Sequence, residues 1–458
     1  MILPAHIMLR HALIITSLII CVLIIPVQNV LASNNISDHS AMSAVNNPLW
    51  DELTEGFDAS FRILAYGTYQ GVAESTQNPD NDFLKIPRFL ADLDIRPDFF
   101  LQFRRLEISV KPRIHVQRSA IEDGSVKGER DWEDEWYINE WFLKLGVTYS
   151  FFLSYGRENL QWGPSYLFSP SNPFFKDNGR MNPKIEVPGM GFARLVWVPS
   201  IKWAFSFIAN TDKGHQIFEP GKFRKSYAVK IDYTGNEEYA GLVLAHRGKE
   251  KYMIGAFGGW TATDAVLLYA DIGFSQENGV LYPAQDNMSP FGISMRALNE
   301  GSSEWNGTVM MGASYTFMAG PTVLAEYLYN DAGYSDEKAE EYYRLRQDAS
   351  DSYYDDGPVG ELSKMVLGQT IDSGMRFLRK NYLVLQYRQN DIRDVLNLSF
   401  SWIYNVDDKG GRFVSTLEYA VGDHVQIFSI GSLNTGAADT EFRSVYDSSV
   451  MLGLEYTF

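Results

Sequence analysis

The chain has 458 residues, 45% hydrophobic and 14% aromatic, with a formal net charge of −17 and a single cysteine, Cys21. That length admits two ordinary domains or one large β structure. The acidic balance argues against nucleic-acid binding, and one cysteine excludes a disulfide framework and a thiolate metal site.

At the N-terminus, Arg10 and His11 precede an apolar run from Ala12 to Val27, and Val30 and Ala32 hold the small-residue positions of a signal-peptidase site. The reading is an export signal over residues 1–32, cleaved after Ala32, because the run is shorter than the roughly 20 apolar residues that span a bilayer. Ile20 before Cys21 does not suit a lipoprotein signal. Residues 33–56 then form a short periplasmic segment, too short for a folded plug. No later window approaches a membrane-spanning helix, so any membrane role falls to strands.

From residue 57 to residue 458 apolar and polar residues alternate with period two. The pattern predicts strands near 57–70, 89–97, 101–117, 136–145, 150–159, 192–199, 201–210, 226–234 and 238–247. It continues with 251–260, 264–274, 306–317, 321–331, 380–389, 393–405, 411–421, 423–433 and 447–458. The fold class is therefore all-β, an antiparallel transmembrane barrel of about 18 strands (16–18) over residues 57–458. Connections after even strands are tight turns such as "VPS" and "VGD", whereas those after odd strands are mostly long, including 160–191, 275–305 and 332–379. Short periplasmic turns and long extracellular loops give this segregation in an outer-membrane barrel. The last strand places Val450, Leu452, Leu454, Tyr456 and Phe458 on one face. It resembles the C-terminal signal of bacterial outer-membrane proteins, which implies the barrel-assembly machinery as a partner.

The stretch "RRLEISVKPRIHVQ", Arg104–Gln117, carries one apolar and one charged face. In a barrel of this size the charged face lines an aqueous lumen. The expected pore-lining set is Arg62, Asp92, Asp94, Arg96, Arg105, Glu107, Lys111, Arg113 and His115. Such a ladder either attracts anionic solutes or forms a charge-compensated wall. The acidic stretches Asp131–Trp136 ("DWEDEW") and Tyr334–Asp356 are expected as solvated outer loops, the second with room for a short helix.

The densest motif runs from Tyr155 to Pro183, and its "GRENLQWGP" is similar to the Gly-Arg and Trp-Gly signature of outer-membrane barrels of the alginate-export and capsule-assembly type. That resemblance covers the signal peptide, the strand count and this segment. It implies an eighteen-stranded barrel handling anionic or capsular polysaccharide, with Gly156, Arg157, Trp162 and Gly163 anchoring a loop that faces the pore. A constriction or substrate loop is expected to act through Arg157, Glu158, Trp162, Asn172 and Arg180. Arg157 can clamp a carboxylate and Trp162 can stack on a sugar, or the two can simply pin the loop and join the rim's aromatic girdle.

The expected function is passive diffusion or export of small hydrophilic solutes, anionic or saccharide, through the outer membrane of a Gram-negative bacterium. The alternative is a polysaccharide-binding or capsule-associated surface protein with the barrel as anchor. Neither catalysis nor a cofactor or metal is expected, since no nucleophile-elbow or metal-ligand spacing occurs. Expected partners are lipid and lipopolysaccharide, the assembly machinery, the solute and other copies of the chain.

Overall fold

The computed structural model describes residues 48–216, 223–248, 251–276, 280–297, 305–437 and 440–458, so the predicted signal segment and residues 33–47 lie outside the described residues. Two compact units emerge. In the smaller, helix α1 (Pro48–Glu55) is followed by Gly56, whose carbonyl accepts from Gln102 N at 2.8 Å, and Arg104 Nε reaches Glu52 at 3.2 Å.

The larger unit is a closed antiparallel barrel. Its strands begin β1 (Phe57–Val72), β2 (Phe89–Phe103), β3 (Leu106–Ala120), β4 (Arg130–Gly146), β5 (Phe151–Glu158) and β6 (Met190–Ser200). They continue β7 (Trp203–Asp212), β8 (Ser226–Thr234), β9 (Glu238–Arg247), β10 (Lys251–Thr263) and β11 (Val266–Ser275). A separate hairpin, β12 (Leu281–Gln285) and β13 (Ile293–Ala297), interrupts the series. The barrel resumes with β14 (Asn306–Thr316), β15 (Thr322–Asn330), β16 (Asn381–Ile392) and β17 (Leu396–Asn405). It ends with β18 (Gly411–Val421), β19 (Val425–Thr435) and β20 (Tyr446–Thr457). All eighteen predicted barrel strands are present, and all but β2, β3 and β4 lie within a few residues of their predicted bounds; β2 ends and β3 begins five or six residues later than predicted, and β4 begins six earlier. Each pairs with its neighbour in sequence.

The ring closes between β1 and β20, in register from Arg62 opposite Thr457 to Gly71 opposite Ser448. Phe61 N donates to Phe458 O at 2.9 Å, Phe458 N returns the bond to Phe61 O at 3.1 Å, and the two rings stack at 5.0 Å. Closure leaves no strand edge, the condition for a sheet to sit in hydrocarbon.

The two faces differ as a membrane requires. On β20, Leu452 and Leu454 are more than half exposed while Met451, on the opposite face, is buried. Exposed aromatics form two belts: Trp203, Trp260, Tyr315 and Tyr456 near the turn rim, and Tyr155, Tyr227, Tyr252 and Trp305 near the loop rim. Aromatic rings at both boundaries are the interfacial pattern of a membrane barrel. One arc departs from simple alternation. Phe192, Ile208, Ala228, Val243 and Ala245, on β6 to β9, are buried and point inward, so an apolar patch lies on the inner face of these strands beside polar residues such as Ser206, Asn210 and Ser226.

Three expectations need correction. Asp131–Trp136 is strand, not loop: it pairs with β3 from Ser119 opposite Asp131 to Ile114 opposite Trp136, because its own alternation extends the hairpin. Tyr334–Asp356 is not a solvated loop. It builds α2 (Asp336–Asp351), which packs with α3 (Pro358–Ile371) and the β12–β13 hairpin around Tyr334, Tyr342, Leu345, Val366, Leu367 and Ile293. Ala339, Tyr342, Leu345 and Ala349 recur at helical spacing, which the surrounding acidic residues obscure. Third, the β2–β3 turn falls at residues 104–105. Arg105 thus sits at the turn rim, with Nη1 on Val147 O at 3.1 Å and its guanidinium over Tyr149, not on the lumenal ladder.

Replacing Leu452, on the outer face of β20, with Arg is expected to cost about 2–4 kcal/mol if it lies near the bilayer midplane. Inward-facing Ser399→Arg is expected to cost far less. Urea titration of refolding into lipid vesicles measures both.

Candidate functional site

The loop joining β5 to β6, residues 159–189, folds into the barrel. Its turns are set locally by Asx side chains that accept from the backbone two residues on. Asn172 accepts from Phe174 N, Asp177 from Gly179 N, Asn178 from Arg180 N and Asn182 from Lys184 N, all at 2.9–3.1 Å. Trp162, Phe174 and Phe175 then cover the inward apolar arc of β6 to β9. Burial of that arc is what draws the loop inward.

Polar tethers fix it to the wall on opposite sides. Asp271 on β11 accepts from Ser169 Oγ at 2.7 Å and Ser171 N at 2.9 Å. Glu326 on β15 accepts from Tyr166 N at 2.6 Å and from Tyr269 Oη at 2.8 Å. Gly163 lies at φ +83° against Asp271, where a side chain would be strained and would clash. A Cβ on Gly273 would stand 2.1 Å from Pro170 O. Further along, Lys184 Nζ bonds Glu418 at 2.8 Å and Glu455 at 2.7 Å. Glu186 takes Arg113 Nε at 2.5 Å and Arg62 Nη2 at 3.1 Å.

The predicted wall charges are therefore largely paired. Arg113 also meets Asp98 at 2.8 Å, Arg96 meets Asp94 at 2.7 Å and Lys111 meets Glu140 at 2.9 Å. Glu107 holds Lys144 at 2.9 Å, His115 Nδ1 lies 2.7 Å from Asp94, and Asp92 accepts from Gln117 at 2.7 Å. Pattern reading missed Lys184 and Glu186, the loop residues that complete this network. A charged pair in a Pro- and Asn-rich loop carries no period that would mark it.

The five predicted loop residues take different places. Arg157 donates to Ile138 O at 2.8 Å and lies 3.5 Å from Asp212, and Glu158 pairs with Arg194 at 2.8 Å. Both pin the loop's base to the wall. Trp162 is inside, edge-on to Phe174 at 5.9 Å with Lys230 over its ring at 5.4 Å, so it is not part of the rim girdle. Asn172 is buried as a turn former. Arg180 alone faces open space. Its guanidinium donates to the carbonyls of Pro164 at 2.9 Å and Ser165 at 2.8 Å.

Arg180 borders a cavity of about 910 Å³ between the loop and the inward faces of β14 to β18, open toward the turn rim. Arg388, Gln386, Ser399 and Thr416 line its far wall, and Glu418 is already bound to Lys184. Arg180 and Arg388 have no carboxylate within ion-pair distance among the described residues; Arg388 Nε bonds only Asn390 Oδ1, at 3.1 Å. Arg388 was not singled out from sequence, although its place in the alternation of β16 points it inward.

On the loop rim, the segment after β19 is latched by Glu441. Its carboxyl group accepts from Tyr382 Oη at 2.5 Å, Asn405 Nδ2 at 2.7 Å and Leu378 N at 2.9 Å, and Asp408 lies beside it. Burial pushes the Glu441 carboxyl up to about 7. A carboxyl whose folded pKa is raised binds its proton more readily in the folded state, so acid favours the latch. Its contribution is complete below the ordinary glutamate range and is lost as pH rises through about 7.

Hydrogen exchange at the Leu378 amide, corrected for the intrinsic rate, should show protection growing from about pH 8 to about pH 5. Glu441→Gln should flatten that dependence; a wild-type profile already flat would remove the latch. Gly273→Val should push the loop from β11, at a cost of about 1–3 kcal/mol, and raise single-channel conductance. Unchanged conductance would mean that residues 159–189 do not limit the opening.

No protein-family model matches the chain, and no curated protein matches it in sequence. Solved structures do match in fold. Pseudomonas aeruginosa OccK7 (OpdD) aligns with TM-score 0.52 at 10% identity, over 88% of this chain and 98% of that one. Pseudomonas aeruginosa OpdK, solved with vanillate, aligns with TM-score 0.51 at 10% identity, over 88% and 99%. The outer membrane protein OprD from the same organism aligns with TM-score 0.50 at 10% identity, over 87% and 94%. None of the three is of the alginate-export or capsule-assembly type. The chain is thus similar in fold to eighteen-stranded outer-membrane porins of the OprD/Occ type.

Proposed function

We propose that this chain is an outer-membrane channel for small hydrophilic solutes, with a preference for anions. The observation that carries the reading is the cavity beside the inward loop, where Arg180 and Arg388 present cationic groups that form no ion pair among the described residues. The closed barrel supplies the membrane span, with turns toward the periplasm and loops outside. The loop narrows the lumen and leaves a water-accessible space on the periplasmic side. Net charge does not drive the preference, since the chain as a whole is acidic. It arises locally, because ladder cations such as Lys111 and Arg113 are neutralised by Glu140, Glu186 and Asp98, whereas Arg180 and Arg388 remain available to a passing carboxylate. Sugar acids and small aromatic carboxylates fit that chemistry, and vanillate, bound to OpdK in its solved structure, is a practical probe.

A second reading keeps the barrel as an anchor for surface binding of polysaccharide, in line with the alginate-export or capsule-assembly resemblance of the Tyr155–Pro183 segment. What favours it is the helical cap of α2 and α3, which has its own hydrophobic core and reaches the β1–β2 loop through Gln77 Nε2 to Leu367 O at 3.1 Å. Conductance in planar bilayers separates the two readings, because an anchor conducts nothing.

Within the channel reading, Arg180→Gln with Arg388→Gln should lower the anion-to-cation permeability ratio by roughly half or more, read as a reversal potential in a salt gradient. Lys111→Gln should change it less. An unaltered reversal potential in the double variant would show that these two arginines are not the selector.

A further inference from the structure

The lipid face of the barrel is not uniform. Over β5 to β10, toward the loop rim, it is hollowed into an apolar groove of about 840 Å³. The cause is a single cross-strand row. Ala193 stands opposite Ala209, Ala209 opposite Tyr227, Tyr227 opposite His246, and His246 opposite Tyr252. Two alanines beside three rings leave a depression whose next row, Leu195, Phe207, Val229, Leu244 and Ile254, is wholly apolar. Phe207 and Tyr227 are each more than half exposed.

The rim above carries Asp212 at the end of β7, 3.5 Å from Arg157, and cations beside β8. Ser226 pairs with Arg247 and Arg247 with Lys251, one residue beyond the His246–Tyr252 row, so these two cations share the inward phase of buried Ser226 and are not on the groove's face. Arg224 and Lys225 lead into β8, both exposed, and the Lys225 carbonyl accepts from Gly248 N. Arg247 and Lys251 also engage other groups, so the weight falls on Arg224 and Lys225. Two adjacent exposed cations at this rim, in a chain of net charge −17, need a reason. An apolar trough sized for acyl chain, capped at the membrane boundary by cations and by the rings of Tyr227 and Tyr252, matches a lipid whose headgroup carries phosphate.

We propose that this groove binds lipid A of the outer leaflet, with acyl chain against Ala193 and Ala209 and a phosphate on Arg224 and Lys225. The inference rests on the outer-membrane part of the functional reading and is independent of conduction. A second copy of the chain is the competing occupant. Docked there about a two-fold axis along the membrane normal, it would bring the two Arg224–Lys225 pairs together, which disfavours it.

The test uses the purified full-length barrel, delipidated and then incubated with bis-phosphorylated lipid A, with retained lipid counted by native mass spectrometry. Wild type should hold lipid A, and Arg224→Glu with Lys225→Glu should reduce retention about tenfold or more. Lipid A stripped of phosphate should bind wild type no better than the intact lipid binds that variant. Ala193→Phe with Ala209→Phe, which fills the groove without touching charge, should also reduce retention. The conservative Arg224→Lys with Lys225→Arg should restore it and shows that folding is intact. Equal retention by wild type and the charge-reversed variant, or equal binding with and without phosphate, overturns the proposal. So does an oligomer that the groove-filling variant dissociates while lipid A retention is unchanged. A barrel that retains lipid A yet conducts nothing removes the channel reading and leaves this one standing.

Discussion

Hydrocarbon offers no partner to a backbone N–H or C=O, and every feature of the larger unit follows from that. A sheet can meet the condition only by having no edge, which is why β1 must pair with β20; at that seam Phe458 contributes two backbone hydrogen bonds and a stacked ring with Phe61. Once the ring is shut, the outer face must be apolar and the inner face is relieved of that demand. Eighteen strands enclose more space than wall side chains can fill, so the interior is available for a loop, for water and for charge.

The interior is organised by the segment that enters it. Trp162, Phe174 and Phe175 bury the apolar arc of β6 to β9, which would otherwise face water. Asp271 and Glu326 hold the middle of the segment on one side, while Lys184 and Glu186 carry its end to β18, β20, β1 and β3 on the other. The same contacts settle the electrostatics. A cation taken up by a carboxylate cannot attract a solute as a free one can, and pairing of Arg96, Lys111 and Arg113 moves the available positive charge to Arg180 and Arg388. The wall arginines and lysines thus hold the loop in place, whereas the proposed selective role falls to Arg180 and Arg388. Outside, a comparable division arises on the lipid face, where small residues at 193 and 209 create relief in an otherwise even surface.

Much of this was legible in the residues alone. Alternation with period two located all eighteen strands, because lipid contact on one face imposes a local pattern that needs no knowledge of neighbours. The phase of Glu107, Lys111, Arg113 and His115 placed them inward for the same reason. Helix α2 left a trace in the spacing of Ala339, Tyr342, Leu345 and Ala349, overshadowed by acidic neighbours. The inward Val243 and Ala245 of β9 were a readable sign of something covering that part of the inner face.

Pairing between distant segments was not legible. Glu186 meets Arg113 across 73 residues and Lys184 meets Glu455 across 271, and no periodicity links such partners. Sequence by itself determined the architecture, the inward phase of the charged faces and the unusual composition of the inward loop, since each is a one-strand or one-turn property. Tertiary structure alone decided which charges are neutralised, that the turn of β2 into β3 takes Arg105 out of the lumen, and that Arg180 and Arg388 share a cavity. Those outcomes depend on which wall residue a loop side chain reaches after closure, and closure is a property of the whole ring.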